Sequence, residues 1–353
     1  MKFWFLLVCF GLWAGGGMAG KSDMEDKLRA AVAAGDMKGL HSVLVIHKGE
    51  IFAEVYFPGE DQRWGTPLGM REHGPDTLHD LRSVTKSIVG LLYGIALGEG
   101  IVPEVNDALL ESFPEYADLA ADPARQKVDV GHVLTMKMGF EWDESLPYSD
   151  PRNSEIAMEL AEDRYRFALD RPIVGPPGEQ WQYNGGATAI IARLIEKGSG
   201  MPLDQFAADR LFQPLGITDF DWVQGGDGQA SAASGLRLNI HDLAKIGQMV
   251  LDDGAHEGTQ IVPSDWLKAS FTPQAELDWL RYGYFWWLAG GKGAPFWVAG
   301  FGNGGQRMTI QANQDLLILV NAGNYNQPDD WKIPVRVIDE FLVPAFRKHL
   351  AEK

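Results

Sequence analysis

Apolar and polar positions alternate over several short stretches of this chain and run unbroken through one long one. Residues 42–57, SVLVIHKGEIFAEVYF, read as two β-rich runs joined by a turn at Lys48-Gly49. Ahead of them, about residues 23–34, the pattern predicts an amphipathic helix. Residues 81–97, LRSVTKSIVGLLYGIAL, are apolar on nearly every face beyond Ser87, which predicts a buried helix. From about 100 to 275 the pattern is mostly helical with long loops; ATAIIARLIEKGSG and NIHDLAKIGQMVLDDG each end on a glycine stop. Strand-like runs return in YGYFWWLAG, PFWVAG, GQRMTIQA and DLLILVNAG, and a last helix spans about 331–350. No repeat or low-complexity linker interrupts them. Strands at both ends with helices between predict one α/β domain of the α+β kind, with a sheet built from both termini and a helical lobe inserted at roughly 100–275.

Composition agrees with a compact globular chain: 353 residues, 45% hydrophobic and 22% charged. The formal net charge of −17, with no basic block, makes nucleic acid and anionic membranes poor partners and leaves a small-molecule substrate as the expected one. The opening MKFWFLLVCFGLWAGGGMAG has one lysine, a short apolar core and small residues at Gly17 and Ala19. It predicts a signal peptide over 1–19, cleavage after Ala19, and a periplasmic or secreted mature domain over 20–353. The core is too short for a comfortable span, so no stable membrane anchor is expected after cleavage. The one cysteine, Cys9, lies inside this segment. The mature chain would then have no disulfide, thiolate nucleophile or cysteine-bound zinc.

Ser83 and Lys86, three apart, share one face of the predicted helix at its entrance. A serine there lies near unpaired backbone N–H groups that can stabilise an oxyanion. A lysine against apolar surroundings loses solvation, which is expected to lower its pKa and let it activate the serine. The bare motif is weak: thirteen serines and fifteen lysines give roughly half a Ser-x-x-Lys match by chance. Its placement carries the argument. In PPGEQWQYNGGATAIIARLIE, Trp181, Tyr183 and Asn184 stand at a loop-to-helix junction, where a tyrosine can relay protons; a simply packed tyrosine is the rival reading. GFGNGGQRMTI contains Gly-x-Gly-x-x-Gly, but a strand follows it where a dinucleotide loop would open a helix. Its glycines fit a tight turn or a close substrate approach to a strand edge. No Gly-x-Ser-x-Gly or His-Glu-x-x-His occurs. His41 and His47 read as surface or structural, and Asp143-Glu144 and Asp329-Asp330 as solvated loop charge.

In combination and order, DLRSVTKSIVGLLYGIALGEG, VGHVLTMKMGFEWDE, PPGEQWQYNGGA and GNGGQRMTIQANQDLLILVNAGNYN resemble the β-lactamase-related serine hydrolases. That group includes class C β-lactamases, D-alanyl-D-alanine carboxypeptidases, family VIII carboxylesterases and 6-aminohexanoate-dimer hydrolases. The resemblance covers about 39–326 and implies the β-lactamase/transpeptidase-like fold, an antiparallel sheet flanked by helices. It implies Ser83 as nucleophile, Lys86 as its partner base and Tyr183 as the second proton-transfer residue. An oxyanion hole would come from the Ser83 N–H and one from the late strand, with no metal or cofactor needed. Two departures matter. Gly185 stands at the third position of Tyr-x-Asn, and Gly300-Phe301-Gly302, followed by Asn303, stand where β-lactamases carry Lys-Thr-Gly. Without that cation an anionic antibiotic should bind poorly, unless Arg307 or Lys137 has taken over. TMKMG also places Lys137 and Met138 where relatives often have Thr-Ser. The pattern points to the esterase and nylon-oligomer branch, with Gly300, Phe301, Gly302, Asn303 and Trp181 at the substrate. A β-lactamase or D,D-peptidase is the rival enzyme, and a non-catalytic binding module on the same fold the rival of another class.

Overall fold

The computed structural model describes residues 15–290 and 295–351. Most of the predicted signal segment, including Cys9, lies outside them. In chain order, the helices relevant to the site and its support are α1 (Gly15–Ala33), α2 (Val84–Gly98), α3 (Ser154–Glu159), α4 (Gly185–Ser199), α5 (Ile240–Leu251) and α6 (Val343–Ala351). The chain divides into two compact units. In the first, α1 packs with the C-terminal helical segment that ends in α6, burying Met24, Leu28, Val337 and Leu342.

The second unit, Gly39–Pro334, contains the sheet and the main core. Its sheet has eight strands: β1 (Leu40–His47), β2 (Glu50–Tyr56), β3 (Ala275–Leu277), β4 (Leu280–Tyr282), β5 (Trp287–Ala289), β6 (Trp297–Gly302), β7 (Gln306–Gln311) and β8 (Leu316–Ala322). They lie in the order β3-β4-β5-β6-β7-β8-β1-β2, every pair antiparallel. The late strands therefore join the first two, as expected of a sheet assembled from both ends of the chain. Lys48 and Gly49 make the β1–β2 turn with φ of 54° and 75°, the left-handed geometry that suits the twist of a tight hairpin.

Helix α2 is buried from Val84 to Ala96, as its unbroken apolar run requires. Gly300 of β6 lies against it: a Cβ there would stand 3.1 Å from Val84 Cγ1. Gly300 pairs with Met308, and Met308 with Leu319. Leu317, two residues before Leu319, meets Gly247 of α5, so α2 and α5 cover the same face of the sheet.

Smaller pieces escaped the sequence pattern. Gly59–Arg63 pairs with Thr66–Arg71, and His79–Asp80, Leu236–Leu238 and Asp221–Trp222 form a three-stranded patch. Two-residue strands have no readable periodicity. This patch delivers the chain into Ser83. His41 and His47 are both buried, contrary to a surface reading.

Candidate active site

Ser83 caps the N-terminus of α2, and Arg82 before it has a φ of 49°. That left-handed conformation is strained for a non-glycine residue, by roughly 1–3 kcal/mol. It is held by an ion pair from Arg82 Nε to Asp80 Oδ2 at 3.1 Å and by the guanidinium lying 4.8 Å over the Tyr325 ring. Gly302 fits close behind: any Cβ there would overlap the Leu81 carbonyl oxygen.

Lys86 lies one turn on and is 1% exposed. Its Nζ donates to Ser83 Oγ at 3.2 Å, to Glu155 Oε2 at 3.1 Å and to the Ala233 carbonyl at 3.0 Å. An ammonium has three protons, and all three are used. Burial pulls the Lys86 pKa down, but the Glu155 carboxylate paired with it outweighs this and holds it above its ordinary value. The expectation of a lysine made basic by desolvation is therefore corrected: Lys86 is an ammonium ion at rest, because a carboxylate is buried with it.

That carboxylate is Glu155, at the start of α3. Its other oxygen accepts from Ser234 Oγ at 2.7 Å, and Ser234 Oγ accepts from Trp64 Nε1 at 3.1 Å. The space it occupies is created by Gly185, where any Cβ would overlap the carboxylate. So the glycine that departs from Tyr-x-Asn leaves room for a charged partner from another helix.

Tyr183 precedes α4, which Asn184 caps by accepting from the Ala187 N–H at 3.0 Å. Lys86 Nζ lies 5.0 Å from the Tyr183 ring centre. Burial raises the phenol pKa; Lys86 and a hydrogen bond with Ser83 oppose this without reversing it. Tyr183 is thus a neutral phenol at rest, and the structure brings Ser83, Lys86 and Tyr183 together.

Glu144, read as solvated, is instead enclosed. It accepts from Trp142 Nε1 at 2.6 Å, the Gly185 N–H at 2.6 Å and Tyr148 O–H at 2.7 Å. Burial, then the Glu155 charge, push its pKa up to about 7. Asp330 is likewise half-buried, accepts from the Gly304 N–H at 2.6 Å, and is raised by burial; Asp329 is exposed.

Two cavities open on Ser83, and Tyr148 and Asn303 line both. Phe301, Gly302 and Arg307 line the second. Of the five residues expected at the substrate, Phe301, Gly302 and Asn303 are there. Gly300 backs onto α2, and Trp181 lines a separate cavity behind Tyr183, with ring centres 6.1 Å apart. The Arg307 guanidinium lies 3.7 Å from the Phe301 ring centre; burial lowers its pKa to about 10, with Asp330 opposing, so it stays charged at neutral pH. Lys137 is turned away to the Gln274 carbonyl at 2.6 Å. Nothing in the structure explains its replacing a small hydroxyl residue.

The sequence matches the β-lactamase family over residues 24–333, and the chain belongs to that family. It is 25% identical over 309 residues to a 6-aminohexanoate-dimer hydrolase from Paenarthrobacter ureafaciens, covering 81% of this chain and 73% of that protein. It is 30% identical over 191 residues to esterase EstB of Burkholderia gladioli, covering 51% of this chain and 46% of the esterase. Among solved structures, the octameric penicillin-binding protein homologue from Pyrococcus abyssi superposes with a TM-score of 0.67 at 19% identity, over 91% of this chain and 77% of that one. The family and its relatives identify a serine hydrolase of the β-lactamase fold, and the antiparallel sheet flanked by helices is the one expected.

Proposed function

We propose that the chain hydrolyses small esters or linear amides through an acyl-enzyme on Ser83. The observation that carries this reading is Lys86, bonded at once to Ser83 Oγ and to Glu155. As Ser83 attacks the carbonyl, its proton passes to Lys86 while Lys86 yields one to Glu155. The serine proton thus ends on the carboxylate, and no free lysine amine has to pre-exist. As in the family this chain resembles, the backbone N–H of Ser83 and one from β6 would stabilise the developing oxyanion. Tyr183, protonated at rest, donates to the leaving oxygen or nitrogen. The phenolate left behind, next to the Lys86 cation, takes a proton from water, which attacks the acyl group. Glu155 then returns its proton through Lys86 to Ser83 as the acid departs, so every proton is accounted for.

The late strand supplies Phe301 and glycine where a β-lactamase supplies lysine and threonine; Arg307 enters the cavity from the neighbouring strand β7 and not from that position, and a missing charge-assisted contact costs about 1.5–3 kcal/mol, or roughly ten- to a hundredfold. Loss of acylation geometry adds to this, so a short p-nitrophenyl ester should exceed penicillin and cephalosporin substrates in kcat/KM by at least about a hundredfold. Rates measured side by side on purified protein decide this; comparable efficiency on a cephalosporin would move the assignment to the β-lactamase or D,D-peptidase reading, with Arg307 as the anion-binding cation.

The same reading places the enzyme outside the cytoplasm, from the pattern of residues 1–19. Among the described residues no helix is long and apolar enough to cross a membrane. N-terminal sequencing of exported material should find a start near Gly20; a full-length cytoplasmic product would overturn the assignment.

A further inference from the structure

We propose that His79, His73, Asp61 and His41 form a structural site for one four-coordinate divalent transition-metal ion, zinc by its donor set, which braces the loop that carries Ser83. The four residues come from separate places: β1, the strand Gly59–Arg63, the loop after Thr66–Arg71, and the strand His79–Asp80. All are buried, and one potential ligand atom from each lies within 4.8 Å of the others.

The hydrogen bonds around the cluster fix where its protons are. His73 Nδ1 lies 2.9 Å from the Phe57 carbonyl and His79 Nδ1 3.1 Å from the Asp80 carbonyl. A carbonyl only accepts, so each Nδ1 carries a proton, and in the neutral ring each Nε2 then presents a lone pair. Carbonyl-anchored imidazoles of this kind are the usual support of metal-ligating histidines. Those lone pairs converge on a carboxylate: Asp61 Oδ2 is 3.7 Å from His73 Nε2, and Asp61 Oδ1 is 3.8 Å from His79 Nε2. Both separations are too long for hydrogen bonds, and His73 Nε2 is buried with no hydrogen-bond partner. His79 Nε2 accepts from His41 Nδ1 at 2.9 Å, but the Nε2 atoms of His73, beside the Asp61 carboxylate, and of His41 are buried without a partner, an acceptor-rich set that a cation would complete.

The spacing lets one ion be reached with small ring movements. Two imidazoles on one tetrahedral ion, bound at about 2.0–2.1 Å, have nitrogens roughly 3.4 Å and ring centres roughly 5.2 Å apart. His41 and His79 have ring centres 5.2 Å apart, and His73 and His79 5.7 Å. His41 and His73 are stacked closer, at 4.0 Å, so the His41 ring must tilt away by about an ångström, its Nδ1 leaving the 2.9 Å contact with His79 Nε2 for the ion. Three imidazoles and one carboxylate in a closed, buried set match structural zinc chemistry.

The ion would act on the nucleophile through the chain. His79 is four residues before Ser83. Tyr325 O–H donates to Asp61 Oδ1 at 3.2 Å, and Arg82 lies over the Tyr325 ring. The strained Arg82 conformation is thus tied to the cluster from two sides.

The test is metal analysis of the full-length enzyme produced in zinc-supplemented medium. About one equivalent of zinc per chain should survive dialysis. Stripping with dipicolinate should lower the Tm, zinc should restore it, and cobalt(II) added to the stripped protein should give the visible bands of four-coordinate cobalt. His73→Ala should lose the metal and the zinc-dependent Tm shift. If that variant does not fold, the cobalt spectrum and the zinc-dependent Tm of the unmutated protein decide. Folded, active protein with well under one equivalent of metal, and a Tm indifferent to zinc, would overturn the proposal.

Discussion

Lys86 Nζ and Glu155 Oε2 lie 3.1 Å apart, although 69 residues separate them in sequence, and each side chain is 1% exposed. A buried ion pair survives only where its remaining hydrogen-bonding capacity is met. Here the serine and a carbonyl complete the ammonium, while Ser234 completes the carboxylate. The pair holds Lys86 charged and gives the Ser83 proton a destination.

Glu155→Gln should therefore impair both chemistry and stability. The amide keeps the shape but cannot take a proton, so kcat/KM for a p-nitrophenyl ester at pH 7 should fall by about a hundredfold or more. Without the carboxylate, burial of Lys86 is opposed less, its pKa drops, and part of the rate should return as the pH rises. A pH–rate profile from 6 to 10 checks this; unchanged rates would remove Glu155 from the proton path. Denaturation should show a loss of about 3–5 kcal/mol from breaking the pair.

Ser83→Ala should abolish both turnover and fluorophosphonate labelling while leaving the near-ultraviolet circular dichroism intact. The hydroxyl is small and its loss leaves the Lys86–Glu155 pair in place. Undiminished turnover would end the assignment of the nucleophile. Failure of the unmutated protein to label or to turn over any ester or amide would favour a binding module on the same fold.

Arg307 should sense substrate charge. It is the cation that lines the cavity beside Phe301 and Asn303. Arg307→Gln should lower kcat/KM for esters bearing a carboxylate, relative to neutral esters, by about ten- to a hundredfold. The ratio of the two, measured in both proteins, is the readout, and an unchanged ratio would mean the guanidinium serves only to pack on Phe301.

Glu144 should make stability fall with rising pH. Its pKa is about 7 in the folded chain against an ordinary 4.5. The folded state thus binds the proton more tightly than the unfolded one. Its contribution is full below about pH 4.5 and is lost as the pH climbs through about 7. Glu144→Gln removes this titration. Urea denaturation at pH 5 and pH 8 should show the variant gaining on the unmutated protein by about 1–3 kcal/mol between the two. A pH-independent difference would show that Glu144 ionises normally.

The sequence by itself determined the parts whose physics is local. The β-rich runs over 42–57 and the late apolar runs became the sheet; β1 and β8 are buried on both faces, so short apolar runs bounded by turns mark them. The unbroken run after Ser87 became α2, and its entrance put Ser83 and Lys86 one turn apart, since helix geometry alone fixes that distance. The turn and glycines that open α4 marked Tyr183 only as a candidate; its proton-transfer role came from the family resemblance. Gly185 carried the one readable hint of what else was needed, a vacant position beside the lysine. What filled it was not readable, because Glu155 sits on a six-residue helix with no signature and reaches Lys86 only after the lobe folds. The same holds for Glu144, which looks like loop charge until Trp142, Tyr148 and Gly185 close around it, and for Trp181, which the fold turns behind Tyr183. In the His79 cluster, His41 lies on the legible strand β1, but Asp61, His73 and His79 lie on elements too short or too irregular to show a pattern, so the sequence does not bring the four together. Whether a charged or titratable group is solvated, paired or trapped depends on what the distant chain places against it, so its pKa and its chemistry belong to the tertiary structure.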